Sequence, residues 1–279
     1  MNQVMTMLQQ VQKSLVPSLS GQVAHYTDIT LHSAFQAIIS FSVAEPVGFE
    51  ALVRARRHDG RHMSPIDLFD QTKGEAELVF LDRLCRALHV CNFVRTGEEG
   101  LIFLNVNPLV SIRGRHFGSF FEEFLAQVGL SAERIVIEIL EGKVLDDKQL
   151  ADSIAFYREQ GCLVAIDDFG AGNSNFGRIW QIKPHIVKLD RSNMAFARSN
   201  SAAQRILPRL VEMLQDAGCL VVIEGVEDEF EAMLALESGA DFGQGYYFGR
   251  PVELPEFQIA TQTCKSLLDR YRGRARFAS

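Results

Sequence analysis

"AFQAIISFSVAEPVGFEALVR", residues 34–54, holds two apolar runs separated only by Ala44, Glu45 and Pro46. Parallel neighbours need a crossover of a dozen or more residues, so a link this short forces the two runs into an antiparallel hairpin. Downstream the rhythm changes. Short apolar runs recur as "LIFLNV" (101–106), "RIVIEIL" (134–140), "CLVAID" (162–167), "HIVKLD" (185–190), "LVVIEG" (220–225) and "DFGQGYYF" (241–248). Amphipathic helical stretches lie over 76–94, 116–128, 146–160, 201–217 and 228–238. Strands alternating with helices predict parallel pairing with the helices packed outside. With the hairpin runs at 34–43 and 47–54, eight strands result. The expected fold class is α/β: a TIM-type (β/α)8 barrel modified by one antiparallel strand.

Residues 1–22 read as a helical or flexible N-terminal extension, and 23–262 as the barrel domain. Residues 263–279 read as the end of a closing helix with a basic tail that carries Arg270, Arg272, Arg274 and Arg276. The chain has 279 residues, 47% hydrophobic and 23% charged, an ordinary globular composition. No apolar run reaches the length of a membrane span, so no membrane partner is expected. The N-terminus lacks the charged-then-apolar layout of a secretory signal. Five cysteines form no C-x-x-C pair, which argues against a disulfide framework or a zinc site and fits a reducing, cytoplasmic setting. The net charge of −7 excludes the wrapping of long nucleic acid, yet bound cations would still allow a small anionic ligand.

Polar residues recur at the strand ends, where barrels of this class build their sites. Glu50 interrupts the second run, Asn105 ends "LIFLNV", and Glu138 sits within "IVIEIL". Asp167 and Asp168 follow "LVAI", Lys188 lies within "HIVKLD", Glu224 follows "LVVI", and Gln244 opens the last run. Taken singly, each has an ordinary structural reading as a salt-bridged or solvated residue. Five carboxylates facing one pocket, however, repel one another unless protons or cations neutralise them. Oxygen donors without histidine or cysteine select a hard ion, magnesium or manganese. There are donors enough for two ions, with Asp167 placed to bridge them, and a metal pair suits in-line displacement at phosphorus.

The motifs resemble those of the EAL domain family, bacterial cyclic di-GMP phosphodiesterases. In order they are "GFEALVR" (48–54), "LNVNP" (104–108), "IEILEG" (137–142), "IDDFGAG" (166–172), "VKLDR" (187–191), "IEGVE" (223–227) and "GQGYYFGRP" (243–251). The resemblance covers residues 25–260 and implies hydrolysis of cyclic di-GMP to linear pGpG with two divalent cations, Mg2+ or Mn2+. It implies Glu50, Asn105, Glu138 and Asp167 as ligands of one cation, and Asp167, Asp168 and Glu224 as ligands of the other. Lys188, Asp168 and Glu224 are then the catalytic residues, with Lys188 orienting the attacking water and Glu224 placed for proton transfer. Gln36, Arg54 and Gln244 are expected to contact substrate. Glu141 is expected to order the loop after the twin aspartates, and Glu227 has a similar assignment. A homodimer and a regulatory protein partner are family expectations. Three stretches depart from the family pattern: "GAGNSNF" (170–176), "QAI" (36–38) without the usual proline, and "SPIDLFDQT" (64–72). None removes a ligand. The alternative reading is a non-catalytic cyclic di-GMP receptor or protein-interaction module on the same fold.

Overall fold

The computed structural model describes residues 2–19, 21–107, 110, 120–140, 147–172, 176–253 and 257–277. Its strands are β1 (Leu15–Ser18), β2 (Gly21–Tyr26), β3 (Ile29–Ser40), β4 (Pro46–Arg57), β5 (His62–Met63), β6 (Leu101–Val106), β7 (Ile135–Leu140), β8 (Leu163–Phe169), β9 (Ile186–Leu189), β10 (Leu220–Ile223) and β11 (Phe242–Gly243). The helices are α1 (Asn2–Ser14), α2 (Pro65–Asp70), α3 (Glu75–Thr96), α4 (Phe120–Val128), α5 (Asp147–Glu159), α6 (Phe176–Ile182), α7 (Arg191–Ser199), α8 (Ser201–Asp216), α9 (Glu229–Glu237) and α10 (Phe257–Phe277).

Eight strands close a barrel in the order β3-β11-β10-β9-β8-β7-β6-β4, with β3 hydrogen-bonded back to β4. β3 runs antiparallel to both neighbours, and every other barrel contact is parallel. The three-residue link after Val43 therefore does what its length requires. β1 and β2 extend the sheet beyond β3, and β5 pairs with the far end of β4. The last strand is shorter than the run 241–248. After Gly243 the chain turns against Val226, just beyond the end of β10, and a Cβ on Gly245 would stand 2.1 Å from the Val226 carbonyl oxygen. Only glycine permits that approach.

Successive residues of a strand face opposite sides, and this parity organises the interior. A lower layer consists of Ile38, Phe103, Val136, Ala165, Ile186 and Val222, all buried, with Leu101, Leu163 and Phe242 against it. Two residues further along the parallel strands, on the same face, stand Asn105, Glu138, Asp167, Lys188, Glu224 and Gln244. On reversed β3 the same level is reached two residues earlier, at Gln36, which lies opposite Glu50 of β4. The barrel thus has a dry apolar floor and a polar layer immediately above it.

α3 is buried over most of its surface, including the polar residues Asp82, Arg83, Arg86 and His89. The N-terminal residues account for this. Leu8 and Val11 of α1 are buried in the main core, and Asn92 of α3 both accepts from the Gln22 N–H (2.7 Å) and donates to its carbonyl (2.9 Å). No helix among the described residues is long and apolar enough to cross a membrane.

Candidate metal-binding active site

The polar layer converges on one ammonium group. Lys188 Nζ lies 2.6 Å from Glu138 Oε1, 2.6 Å from Glu224 Oε1, 3.2 Å from Asp167 Oδ1 and 3.3 Å from Glu50 Oε2. Lys188 and Glu138 are wholly buried, and Glu50 and Asp167 nearly so. Amide groups complete the network. Asn105 Nδ2 donates to Glu50 Oε1 and Glu138 Oε2, both at 3.0 Å. Gln244 Nε2 donates to Glu50 Oε2 at 2.7 Å and to Gln36 Oε1 at 3.3 Å, while Gln36 Nε2 donates to the Gly249 carbonyl at 2.9 Å.

Backbone geometry sets the twin aspartates apart. Asp167 continues β8 inward, whereas Asp168 has φ +57°, a left-handed conformation that few non-glycine residues adopt. The turn brings one oxygen each of Asp167, Asp168 and Glu224 within 4.8 Å of one another. After Glu224 the chain also takes a left-handed turn, at Gly225 (φ +68°), where a Cβ would stand 2.3 Å from Arg191 Cβ. Strand ends that turn so sharply present their final carboxylates to a common space.

One ammonium does not neutralise this many carboxylates. Burial pushes Glu138 well above the usual carboxylate range, and the charge of Glu50 adds to it against the pull of Lys188. Burial also raises Asp167, although Lys188 opposes the shift. Glu224 is pushed up to about 8 by burial, and Asp168 to about 6 by burial and by the charges of Asp167 and Asp190. Only Glu50 falls below its ordinary value; burial opposes this, but Lys188 and the bonds from Gln244 and Asn105 outweigh it. The buried oxygens Glu138 Oε1 and Asp167 Oδ1 have the Lys188 ammonium as their polar contact, at 2.6 and 3.2 Å. An all-oxygen donor set with surplus negative charge fits a hard divalent cation.

The structure brings together Gln36, Glu50, Asn105, Glu138, Asp167, Lys188, Glu224 and Gln244 in one bonded network, with Asp168 beside it. Arg54 lies four residues beyond Glu50 on the same face of β4, and its Nη1 donates to the Val53 carbonyl (3.2 Å). Glu227 is exposed on the turn into α9, where its N–H donates to Glu231 Oε2 (2.8 Å). Glu141 and the atypical residues Asn173, Ser174 and Asn175 lie outside the described residues. Sequence reasoning missed Asp82. Its Oδ1 accepts from the Asn107 N–H at 2.9 Å, two residues beyond Asn105, and its Oδ2 pairs with Arg86 at 2.6 Å. The Asp82–Arg86 spacing of four residues on a helix was the available signal, but the same spacing is common on solvated faces.

A closed barrel with one reversed strand and a cluster of carboxylates at its carboxyl end defines the class of the protein: a variant (β/α)8 barrel with an acidic site. Residues 24–251 match the EAL domain, and the chain belongs to that family. Among relatives, the cyclic di-GMP phosphodiesterase TpdA of Vibrio parahaemolyticus is 32% identical over 148 residues, which are 53% of this chain and 25% of TpdA. The EAL-domain protein YkuI of Bacillus subtilis is 28% identical over 223 residues, 78% of this chain and 54% of YkuI. The crystal structure of YkuI with cyclic di-GMP and calcium superposes with a TM-score of 0.77 at 23% identity, covering 99% of this chain and 65% of that one, and supports the fold. The manganese and cyclic di-GMP complex of Klebsiella pneumoniae BlrP1 is 25% identical with a TM-score of 0.71, covering 80% of this chain and 56% of that one. The chain spans about half or less of the length of these curated relatives.

Proposed function

We propose that the chain is a metal-dependent phosphodiesterase that hydrolyses cyclic di-GMP to linear pGpG. The observation that carries this reading is the buried carboxylate layer around Lys188, with more negative charge than one ammonium offsets. In this reading two cations, magnesium or manganese, bind: one through Glu50, Asn105, Glu138 and Asp167, the other through Asp167, Asp168 and Glu224. Bound there, a cation pair supplies Lewis acidity toward a phosphodiester and lowers the pKa of water. Lys188 Nζ donates hydrogen bonds that hold the attacking water in line with the scissile bond. Glu224 takes part in proton transfer to and from the reacting oxygens. Gln244, which donates hydrogen bonds to both Gln36 and Glu50, holds Glu50 from one side, and the two glutamines form the wall against which substrate lies. Arg54, further up the same face of β4, is positioned for a phosphate or a base edge. The apolar layer beneath keeps water out from below.

Homodimer formation and control by a separate protein belong to the same proposal, as does the division at residues 22 and 262. The test is chromatographic: purified protein with cyclic di-GMP and manganese, against EDTA and against Asp167→Asn. The reading expects pGpG only with metal, and a loss of about 100–1,000-fold in Asp167→Asn, the scale of a preorganised electrostatic group. Intact nucleotide that co-elutes with the protein in the presence of manganese identifies a receptor instead.

A further inference from the structure

The twin-aspartate turn has a brace on a neighbouring element. Asn193 belongs to the first turn of α7, directly after β9, which carries Lys188. Its Nδ2 donates to the Phe169 carbonyl at 3.2 Å and to the Asp190 carbonyl at 3.0 Å. The Asp190 N–H donates to the same Phe169 carbonyl at 3.1 Å, so one backbone oxygen next to Asp168 is held from two directions. The amide also fills the space where residue 170 would carry a side chain: a Cβ on Gly170 (φ +97°) would stand 2.5 Å from Nδ2 and 3.0 Å from Oδ1. Asp168 at φ +57° and Gly170 at φ +97° flank the braced residue, and the Ala171 N–H closes the turn on the Asp168 carbonyl at 3.1 Å. Non-glycine residues persist in left-handed conformations only where surrounding structure over-determines them.

We propose that Asn193 is a positioning residue for the cation site: its amide, clamped between Phe169 and Asp190, holds the Asp168 turn so that Asp168 faces Asp167 and Glu224. The inference rests on the cation reading above. The brace links the end of β8 to the start of the helix after β9, and so adds a side-chain tie at the turn to two strands already paired in the sheet. Leucine matches the shape of asparagine but donates nothing, and alanine empties the Gly170 slot. Either change frees the turn without touching a ligand. Groups that orient metal ligands from behind are typically worth about 10–100-fold in affinity.

The experiment is isothermal titration of manganese into the metal-free full chain, as wild type, Asn193→Leu and Asn193→Ala, with thermal melts in EDTA alongside. The expected result is manganese binding at least about tenfold weaker in both variants, with melting midpoints in EDTA close to wild type. A general structural role would move the EDTA midpoint and leave affinity alone. Affinities within twofold of wild type overturn the proposal. So does loss of the fold in both variants, which makes Asn193 an ordinary structural residue. A wild-type chain that takes up no manganese overturns the cation reading itself, and the inference with it.

Discussion

Replacing Lys188 with methionine tests the charge balance of the site directly. The methionine fills nearly the same volume but removes the only ammonium among the described residues that lies between Glu50, Glu138, Asp167 and Glu224, all within 3.3 Å of it. At an effective dielectric of 20, each of these contacts is an attraction of about 5–6 kcal/mol before desolvation is counted. Desolvation of the lysine returns on its removal, and the abandoned carboxylates take up protons. The net loss should therefore sit near that of breaking one buried pair, about 3–5 kcal/mol. In a chain of this size that corresponds to a fall in melting midpoint of about 10 °C in EDTA. Divalent cations then have more to offset in the variant than in wild type. Manganese should raise the Lys188→Met midpoint by more degrees than it raises the wild-type midpoint, while hydrolysis of cyclic di-GMP stays lost. Differential scanning calorimetry of both proteins, with EDTA and with manganese, reads all of this. A variant that melts within about 3 °C of wild type in EDTA, or gains no more from manganese, would refute the account of Lys188 as the counter-ion of the layer.

His89 supplies a pH dependence independent of the cation site. Burial and the nearby charge of Arg54 depress its pKa to about 3, and its Nδ1 lies 2.8 Å from Ser33 Oγ. The unfolded chain, with histidine near 6.5, binds the proton first, so stability is full above about pH 6.5 and falls as pH drops toward 3. Two units below 6.5 the cost is about 2.7 kcal/mol, and urea unfolding at pH 7.5 and 4.5 should show His89→Gln losing that much less than wild type; identical losses refute it. Asp82→Asn leaves Arg86 buried opposite a neutral partner and should cost about 3–5 kcal/mol, whereas Asp82→Leu combined with Arg86→Met should recover most of it. A double-mutant cycle from denaturant melts measures the coupling, and additive losses would show that the pair does not act as one unit.

The barrel was legible because its evidence is local and periodic. The three-residue link before Val47 fixes the reversed strand, and polar residues in otherwise apolar strands mark the level of the site. Parity does the rest: Phe103 and Asn105, or Val136 and Glu138, stand on one face by necessity. The centrality of Lys188 was less legible. A lysine at a strand end reads equally well as a group reaching past the sheet into solvent, and only closure of the barrel encloses it. The burial of α3 was hidden for a related reason. Residues 15–26 carry few strong strand formers, and their pairing depends on β3 already being in place. Asn193 left no trace at all, because its meaning depends on the left-handed turn at Gly170, 23 residues earlier in the chain.

The two interior layers explain why the charges sit where they do. The floor positions one pleat repeat below are Phe103, Val136, Ala165, Ile186 and Val222, so apolar side chains evidently fit this barrel and would fill the upper level at less cost. The dry floor also acts on the site itself. With hydrocarbon below and water only at the mouth, charges in the layer interact at a lower effective dielectric than surface groups, which deepens both their mutual repulsion and their attraction for a cation. The mouth is where the arrangement opens: Asn105 is exposed and Asp168 half-buried, while Lys188 and Glu138 at the bottom are closed off. Exposure thus rises from the counter-ion to the outer carboxylates, so a hydrated cation or an anionic ligand meets the layer first at Asn105, Asp168 and Glu224, and the turn that holds Asp168 governs what the site accepts.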